Sequence, residues 1–127
     1  MTGACKVLGR RILLVDDLPE VREIFKLMLG IDEHVVVEAA NGREALEKFS
    51  PGHFDLVITD YAMPVMRGDE LATNIKRMAP SQPVLMITGS AQDATGFEAS
   101  ADAVLHKPIN LKDLRQAISQ LLSPVAA

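Results

Sequence analysis

Short apolar runs without regular polar alternation recur along this chain, and they constrain its fold more than any other feature. They lie at residues 11–16, 34–40, 54–60, 83–88 and 103–106. Because a strand that is apolar at nearly every position needs cover on both faces, such runs are typical of parallel sheets between two layers of helices. The pattern therefore predicts an α/β domain with five parallel strands.

Amphipathic segments separate these runs and predict helices on both faces of the sheet. The candidate helices are 18–30, 41–49, 68–79 and 110–122. Pro19 is expected at the start of the first helix, Gly30 at its end, and Asn110 at the N-cap of the last. The residues expected to face the core are Val21, Ile24, Phe25 and Met28 in the first helix, Ala45, Leu46 and Phe49 in the second, Leu71, Ile75 and Met78 in the third, and Leu111, Leu114, Ile118 and Leu121 or Leu122 in the last.

Five strands that alternate with helices predict a flavodoxin-like, doubly wound sheet with the strand order 2-1-3-4-5. Right-handed crossovers place the carboxyl end of every strand on one edge of such a sheet. Ligands bind at that edge, near the switch point between strands 1 and 3. The side chains that follow those strands are therefore the first candidates for a functional site.

Charged and polar residues stand at the predicted strand ends. Asp16 and Asp17 end strand 1, Asp60 ends strand 3, Thr88 ends strand 4 and Lys107 follows strand 5. Three carboxylates brought together cannot all stay ionised without a counter-charge. Mg²⁺ suits such oxygen ligands and also takes phosphate oxygens. A carboxylate can attack phosphorus, and a hydroxyl and an ammonium can bind phosphoryl oxygens, so the cluster predicts phosphoryl chemistry.

Each of these residues also has an ordinary structural interpretation. Asp17 alone is more often a helix cap, Asp60 a turn residue and Thr88 an unremarkable strand end. Lys107 alone is more often solvated or ion-paired. The functional interpretation rests on all of them meeting at the ligand-binding edge of one sheet.

Bulk properties narrow the class of protein. With 127 residues, the chain is predicted to form a single domain over residues 1–127, with its core at about 11–122. One cysteine, no secretory signal and no apolar run long enough to cross a bilayer indicate a cytoplasmic protein without a membrane span. A net charge of -4 and 4% aromatic residues argue against direct nucleic-acid binding.

Four segments together resemble the receiver domain of bacterial response regulators: LLVDD at 13–17, DLVITDYAMPVMRG at 55–68, VLMITG at 84–89 and HKP at 106–108. The resemblance covers about residues 11–122. It implies that Asp60 is the phosphoacceptor, that Thr88 is the switch hydroxyl, and that the Lys107 ammonium binds the phosphoryl group.

The resemblance also implies a metal site for Mg²⁺, which Mn²⁺ could also occupy. Asp17 and Asp60 would be direct ligands, and Asp16 would act mainly through water. The backbone carbonyl of Ala62 would be a further ligand.

Several positions around the site match the family pattern. The family has a cis peptide before the proline that follows its lysine, here Lys107-Pro108. The general frequency of cis X-Pro bonds, about 5–6%, favours trans instead. The matching positions are Met63, Pro64, Gly68, Gly89 and Pro108.

The resemblance implies a signalling role without turnover of a substrate, so the chain is not expected to be an enzyme in the usual sense. A histidine kinase or phosphotransfer protein would donate from phosphohistidine to Asp60, and acetyl phosphate is a candidate small donor. The domain would catalyse only its own phosphorylation and dephosphorylation. The signal would pass to a downstream protein partner or a linked output domain, from a monomer or a weak phosphorylation-dependent dimer.

The chain departs from the family pattern in two places that bear on switching. Val104 stands where the family usually carries Tyr or Phe, three residues before the lysine, so the usual aromatic switch is missing. The segment 89–102 is about one helical turn short. The fourth helix of the family, between strands 4 and 5, is therefore expected to be short, irregular or mobile.

Three other classes compete with this interpretation. A receiver-like module that signals by binding alone would explain Val104 but not the complete polar set. A phosphatase of the haloacid dehalogenase type needs a second Asp where this chain has Ala62. A flavin-binding flavodoxin needs a hydroxyl- and glycine-rich loop after strand 1, where DDLPE would repel phosphate.

Overall fold

A computed structural model of the chain describes residues 7–89 and 100–122. The strands are β1 (Arg11–Val15), β2 (Val35–Ala39), β3 (Leu56–Asp60), β4 (Val84–Thr88) and β5 (Ala103–His106). The described helices are α1 (Pro19–Ile31), α2 (Gly42–Lys48), α3 (Gly68–Met78) and α4 (Leu111–Leu122). Most of the segment 89–102 lies outside the described residues, so the prediction of a short or irregular helix there remains a prediction.

All five strands are parallel, and their order is β2-β1-β3-β4-β5. The prediction of a flavodoxin-like, doubly wound sheet is therefore confirmed. The three central strands are apolar and buried along nearly their whole length, whereas β2 and β5 at the edges are only partly buried. Burial on both faces explains why the central runs show no polar alternation.

Side chains along the central strands alternate between the two faces of the sheet and form two separate apolar clusters. Leu13, Val57 and Met86 point to one face, where they pack with residues of α2 and α3. Ile12 and Ile58 point to the other face, where they pack with residues of α1 and α4. This two-sided core fixes the strands rigidly, so the residues at their carboxyl ends are held in place.

Helix ends follow the sequence signals with one exception. Pro19 begins α1 as expected, Asn41 Oδ1 accepts from the N–H of Glu44 at 2.8 Å, and Asn110 Oδ1 caps the start of α4. The expectation that α1 ends at Gly30 is wrong, because the helix continues to Ile31. The chain reverses after the helix, where Glu33 adopts a φ of 65°.

Two of the predicted core residues lie on the surface. Ile24 is 57% exposed and Met78 is 46% exposed, whereas Phe25 and Leu29 are buried. The buried side of α1 is centred on Phe25 and Leu29, and Ile24 lies about 100° around the helix from Phe25. Met78 is the last residue of α3. Helical spacing identified a broad apolar stripe, but only part of that stripe meets the sheet.

Candidate functional site

Three carboxylates converge where two neighbouring strands end. Asp60 is the last residue of β3, and Asp16 and Asp17 follow β1, which pairs directly with β3. One oxygen from each of the three carboxylates lies within 4.8 Å of the others. Asp16 is 2% exposed and Asp60 is 6% exposed, so two of the three charges are buried. The structure thus brings together the acidic cluster that the strand ends predicted.

The ammonium of Lys107 lies against this cluster. Its Nζ is 3.2 Å from Asp60 Oδ1 and 4.0 Å from Asp16 Oδ2. The backbone N–H of Lys107 donates to the carbonyl of Thr88 at 2.7 Å, which ties the residue after β5 to the end of β4. The sheet therefore delivers the lysine to the same edge as the carboxylates.

Burial dominates the electrostatics of the two inner carboxylates. It raises the pKa of Asp60, and the neighbouring charge of Asp16 raises it further, while Lys107 opposes both effects. Burial also raises the pKa of Asp16, against the N–H of Leu18 and the charge of Lys107, which lower it. One ammonium thus only partly offsets the negative charge at this corner. A small dication with a preference for oxygen ligands fits these residues, because it would supply the missing charge.

The loop after Asp60 is drawn tightly against the end of β3. The N–H of Gly68 donates to the carbonyl of Tyr61 at 2.8 Å. A Cβ at Gly68 would collide with the Asp60 carbonyl oxygen and would lie 2.8 Å from Met86 Sδ. Only glycine fits there without movement, so the match of Gly68 to the family pattern has a steric cause in this structure.

The remaining loop residues differ in exposure. Met63 is buried in the cluster below the loop, whereas Pro64 and Ala62 are exposed. Val65 has a φ of 75°, and the N–H of Met66 donates to the carbonyl of Pro64 across it at 2.8 Å. A positive φ is costly for a β-branched residue, so this turn holds backbone strain four to six residues after the acidic strand end.

The other predicted residues lie at the expected strand ends. Thr88 ends β4 and is buried, Gly89 follows it, and the Lys107-Pro108 peptide is cis, as the family resemblance implied and general frequency did not. Val104 lies in β5 and packs, partly buried, against the cluster on the α2 and α3 face.

Arg22 belongs to the surroundings of the site, and the sequence reasoning missed it. Its Nη1 donates to the backbone carbonyl of Asp16 at 2.6 Å, and its Nε donates to Glu38 Oε1 at 3.0 Å. Glu38 offered a signal, because a carboxylate inside the apolar run of β2 needs a partner. The sequence did not say which cation would supply it.

An apolar groove lies beside the acidic cluster. Its volume is about 460 Å³, and it runs between α1 and the segment after β5. Lys107 lines the groove and also contacts Asp60, so the groove and the cluster share one wall. The lining residues are Val21, Ile24, Phe25, Met28, Lys107, Pro108 and Ile109.

The arrangement offers a carboxylate nucleophile, a neighbouring ammonium and oxygen ligands for a dication. These are the groups that in-line transfer of a phosphoryl group to a carboxylate requires.

In the described part of the chain, no helix has both the length and the apolar character needed to cross a bilayer.

Comparison with known proteins gives consistent matches. A family model described as the response regulator receiver domain matches residues 12–119. Sensor protein EvgS of Escherichia coli is 37% identical over 113 residues, which cover 87% of this chain and 9% of EvgS. Transcriptional regulatory protein ResD of Bacillus subtilis is 31% identical over 115 residues, which cover 88% of this chain and 48% of ResD. The chain thus spans half or less of the length of these relatives.

This chain aligns with two solved structures over nearly the whole length of their chains. Response regulator protein TrrA of Thermotoga maritima, solved in complex with Mg(2+)-BeF, aligns with a TM-score of 0.84 at 34% identity. The alignment covers 89% of this chain and 99% of the TrrA chain. Chemotaxis protein CheY4 of Vibrio cholerae aligns with a TM-score of 0.80 at 31% identity and covers 91% of this chain and 100% of that one.

Proposed function

This chain belongs to the response regulator receiver family, the regulatory domains of two-component signalling, and from that premise we propose that it is a phosphoacceptor switch in which Asp60 receives the phosphoryl group. The observation that carries the proposal is the contact between Lys107 Nζ and Asp60 Oδ1 at 3.2 Å, inside a cluster of three carboxylates. An aspartate buried in this way is reactive only when ionised, and the ammonium favours that form.

The transfer forms one bond and breaks another. A carboxylate oxygen of Asp60 attacks phosphorus, the P–N bond of a phosphohistidine breaks, and the imidazole leaves with the electron pair. Lys107 neutralises charge on the phosphoryl oxygens, and Thr88 donates a hydrogen bond to one of them. Asp17, Asp60 and the carbonyl of Ala62 would hold Mg²⁺, or Mn²⁺ in its place, with Asp16 acting mainly through water, and the ion would supply positive charge to the same oxygens.

A histidine kinase or phosphotransfer protein is the proposed donor, and the groove beside α1 supports a protein in that role. Ile24 is exposed beside the groove's other apolar residues, and Lys107 connects the groove directly to Asp60. A donor that covers this apolar surface would hold its phosphohistidine next to the acceptor. A small donor has no need of the groove and is expected to react more slowly.

Phosphorylation is proposed to act as a local charge switch. It adds about 1.5 to 2 negative charges beside Lys107 and Thr88. Attraction of Thr88 and Lys107 to the phosphoryl group would then shift the ends of β4 and β5 between two states. Val104 cannot provide the aromatic rotamer change of the family, so the shift would reach a partner or output domain through the backbone ends of these strands.

The direct test is intact mass after incubation with acetyl phosphate and Mg²⁺. We expect the gain of one phosphoryl group, and its loss in Asp60→Asn and in samples treated with EDTA. Asp113→Asn, which removes an exposed carboxylate from α4, is the matched control and should react like the wild type. A mass gain that persists in Asp60→Asn would refute the assignment of the acceptor.

A second measurement separates a short-lived phosphoryl group from an inactive site. Beryllofluoride with Mg²⁺ should shift the amide NMR signals of residues at the ends of β3, β4 and β5. If neither phosphorylation nor these shifts occur, the chain is instead a receiver-like module that signals by binding alone.

The role of the groove has its own test with two donors. Ile24→Asp should slow transfer from autophosphorylated histidine kinases of the source organism by more than about tenfold, because a charge would be buried under the donor. The same variant should react normally with acetyl phosphate. Met78→Asp, at an exposed apolar position of α3, is the control. Equal slowing with both donors would count against docking at the groove.

A further inference from the structure

We propose that Arg22 is a positioning residue for the cation site: it holds the backbone between Asp16 and Asp17 so that both carboxylates stay directed at Asp60. The inference rests on the proposed function and concerns a residue outside the acidic cluster. Arg22 Nη1 donates to the Asp16 carbonyl at 2.6 Å, and its side chain is only 15% exposed. This carbonyl belongs to the peptide that joins the two aspartates.

A second contact fixes the guanidinium from the other side. Arg22 Nε donates to Glu38 Oε1 at 3.0 Å, and Glu38 Oε2 is 3.0 Å from Lys26 Nζ. The carbonyl of Glu38 also accepts from Lys48 Nζ at 2.6 Å. Glu38 pairs with Leu14 across β1 and β2, so it is set by the sheet itself. Arg22 therefore connects a rigid strand to the acidic corner.

The corner needs such support because its charges repel each other. Burial and the charges of neighbouring aspartates raise the pKa values of both Asp16 and Asp60. Without a restraint, the segment after β1 would relax in the direction that separates the carboxylates. The N–H of Leu18 restrains the Asp16 side chain at 2.9 Å, and Arg22 restrains the carbonyl on the side of Asp17.

Arginine suits this position because its planar guanidinium presents several N–H donors in a fixed geometry. One donor serves the backbone carbonyl while another serves the carboxylate of Glu38. A lysine carries the same charge but lacks that planar arrangement. Arg22→Lys therefore separates the effect of geometry from the effect of charge.

The positioning role predicts an effect opposite in sign to simple electrostatics. Arg22 is a cation near a cation site, so removal of its charge alone should tighten the binding of a dication. Loss of a positioning contact should weaken binding, by about tenfold for an outer residue that orients ligands. The direction of change therefore decides between the two roles.

The experiment measures Mn²⁺ binding by EPR of the free ion, with the full chain. Arg22→Met is expected to raise the Kd about tenfold, and Arg22→Lys should restore only part of the affinity. Glu38→Gln keeps the arginine and weakens its anchor, so it should raise the Kd roughly threefold. Arg77→Met, the same chemical change at an exposed arginine in the last turn of α3, is the matched control and should bind like the wild type.

Binding of Mn²⁺ to Arg22→Met with wild-type or higher affinity would overturn the proposal. If Arg22→Met does not fold by circular dichroism, Glu38→Gln decides, and wild-type affinity in that variant would overturn it equally. Failure of the wild type to bind Mn²⁺ would refute the metal part of the proposed function and the role of Arg22 with it. A wild type that binds and is phosphorylated, beside variants that bind equally well, would refute the role of Arg22 alone.

Discussion

Replacement of Gly68 by alanine should destabilise the domain by about 1–2 kcal/mol. The new Cβ would collide with the carbonyl oxygen of Asp60 and approach Met86 Sδ to 2.8 Å and the Cα of Tyr61 to 2.9 Å. Two of these three neighbours are backbone atoms, so a side-chain rotation cannot relieve the collision. Overpacking of this kind costs about 1–3 kcal/mol, and reduced entropy of the unfolded chain returns about 0.4–1 kcal/mol.

Gly30→Ala provides the matched control for this prediction. Gly30 also lies in a helix, but a Cβ there meets no atom within 4 Å. The same chemical change should therefore stabilise the protein, by about 0.5 kcal/mol near a helix end. Urea denaturation followed by circular dichroism measures both free energies of unfolding.

The two variants should thus change stability in opposite directions. Gly68→Ala should also slow phosphorylation, because the backbone that must move is the carbonyl of the proposed acceptor, Asp60. A Gly68→Ala protein as stable as the wild type would refute the argument from close approach. Equal destabilisation by Gly30→Ala would show that the loss arises from glycine replacement in general.

Three further predictions concern buried charges. Burial raises the pKa of Asp60, so the ionised carboxylate destabilises the fold. In EDTA, Asp60→Asn should therefore raise the free energy of unfolding most near pH 7, and this gain should shrink as the pH falls towards about 4. Urea titrations measure the gain, and a gain that does not change with pH would contradict the prediction. His34 Nδ1 accepts a hydrogen bond from the N–H of Arg10 at 3.0 Å, and burial lowers the pKa of His34. The stability of the wild type should therefore fall as the pH drops below about 6.5. Thermal melting should show a smaller fall for His34→Gln. Arg115→Met should lower the urea midpoint because it leaves the buried Asp32 carboxylate without bonds of 2.9 and 3.0 Å, and Asp32→Leu with Arg115→Met should recover part of the loss.

The sequence specified the sheet because its signals are local and repeated. The apolar runs became the five strands, each end lying within two residues of its predicted position. Parallel pairing then follows from burial on both faces, and it places every strand's carboxyl end on one edge. Asp16, Asp60 and Lys107 could therefore be assigned to one site before any distance was known.

The sequence did not specify how each helix rests on the sheet. Ile24 and Met78 have the spacing of core residues, yet both are exposed. Helical periodicity shows which residues form the apolar stripe of a helix. The angle at which the helix packs on the sheet determines which part of that stripe is buried. The exposed remainder of α1 became one wall of the groove beside Lys107.

Only the tertiary structure decided which charges meet and what geometry the loops adopt. Arg22 and Glu38 are paired across an element boundary, and Arg115 joins Asp32 from 83 residues away. The family resemblance implied the cis form of Lys107-Pro108, whereas the residues themselves favoured trans. Hydrophobic periodicity and strand ends can be recognised from residues that are consecutive in the sequence. Ion-pair partners and close contacts between backbone segments depend on elements that are distant in the chain. The residues of the site, Gly68 among them, could therefore be identified from the sequence and the family resemblance. The contact of Arg22 and the steric role of Gly68 required the tertiary structure.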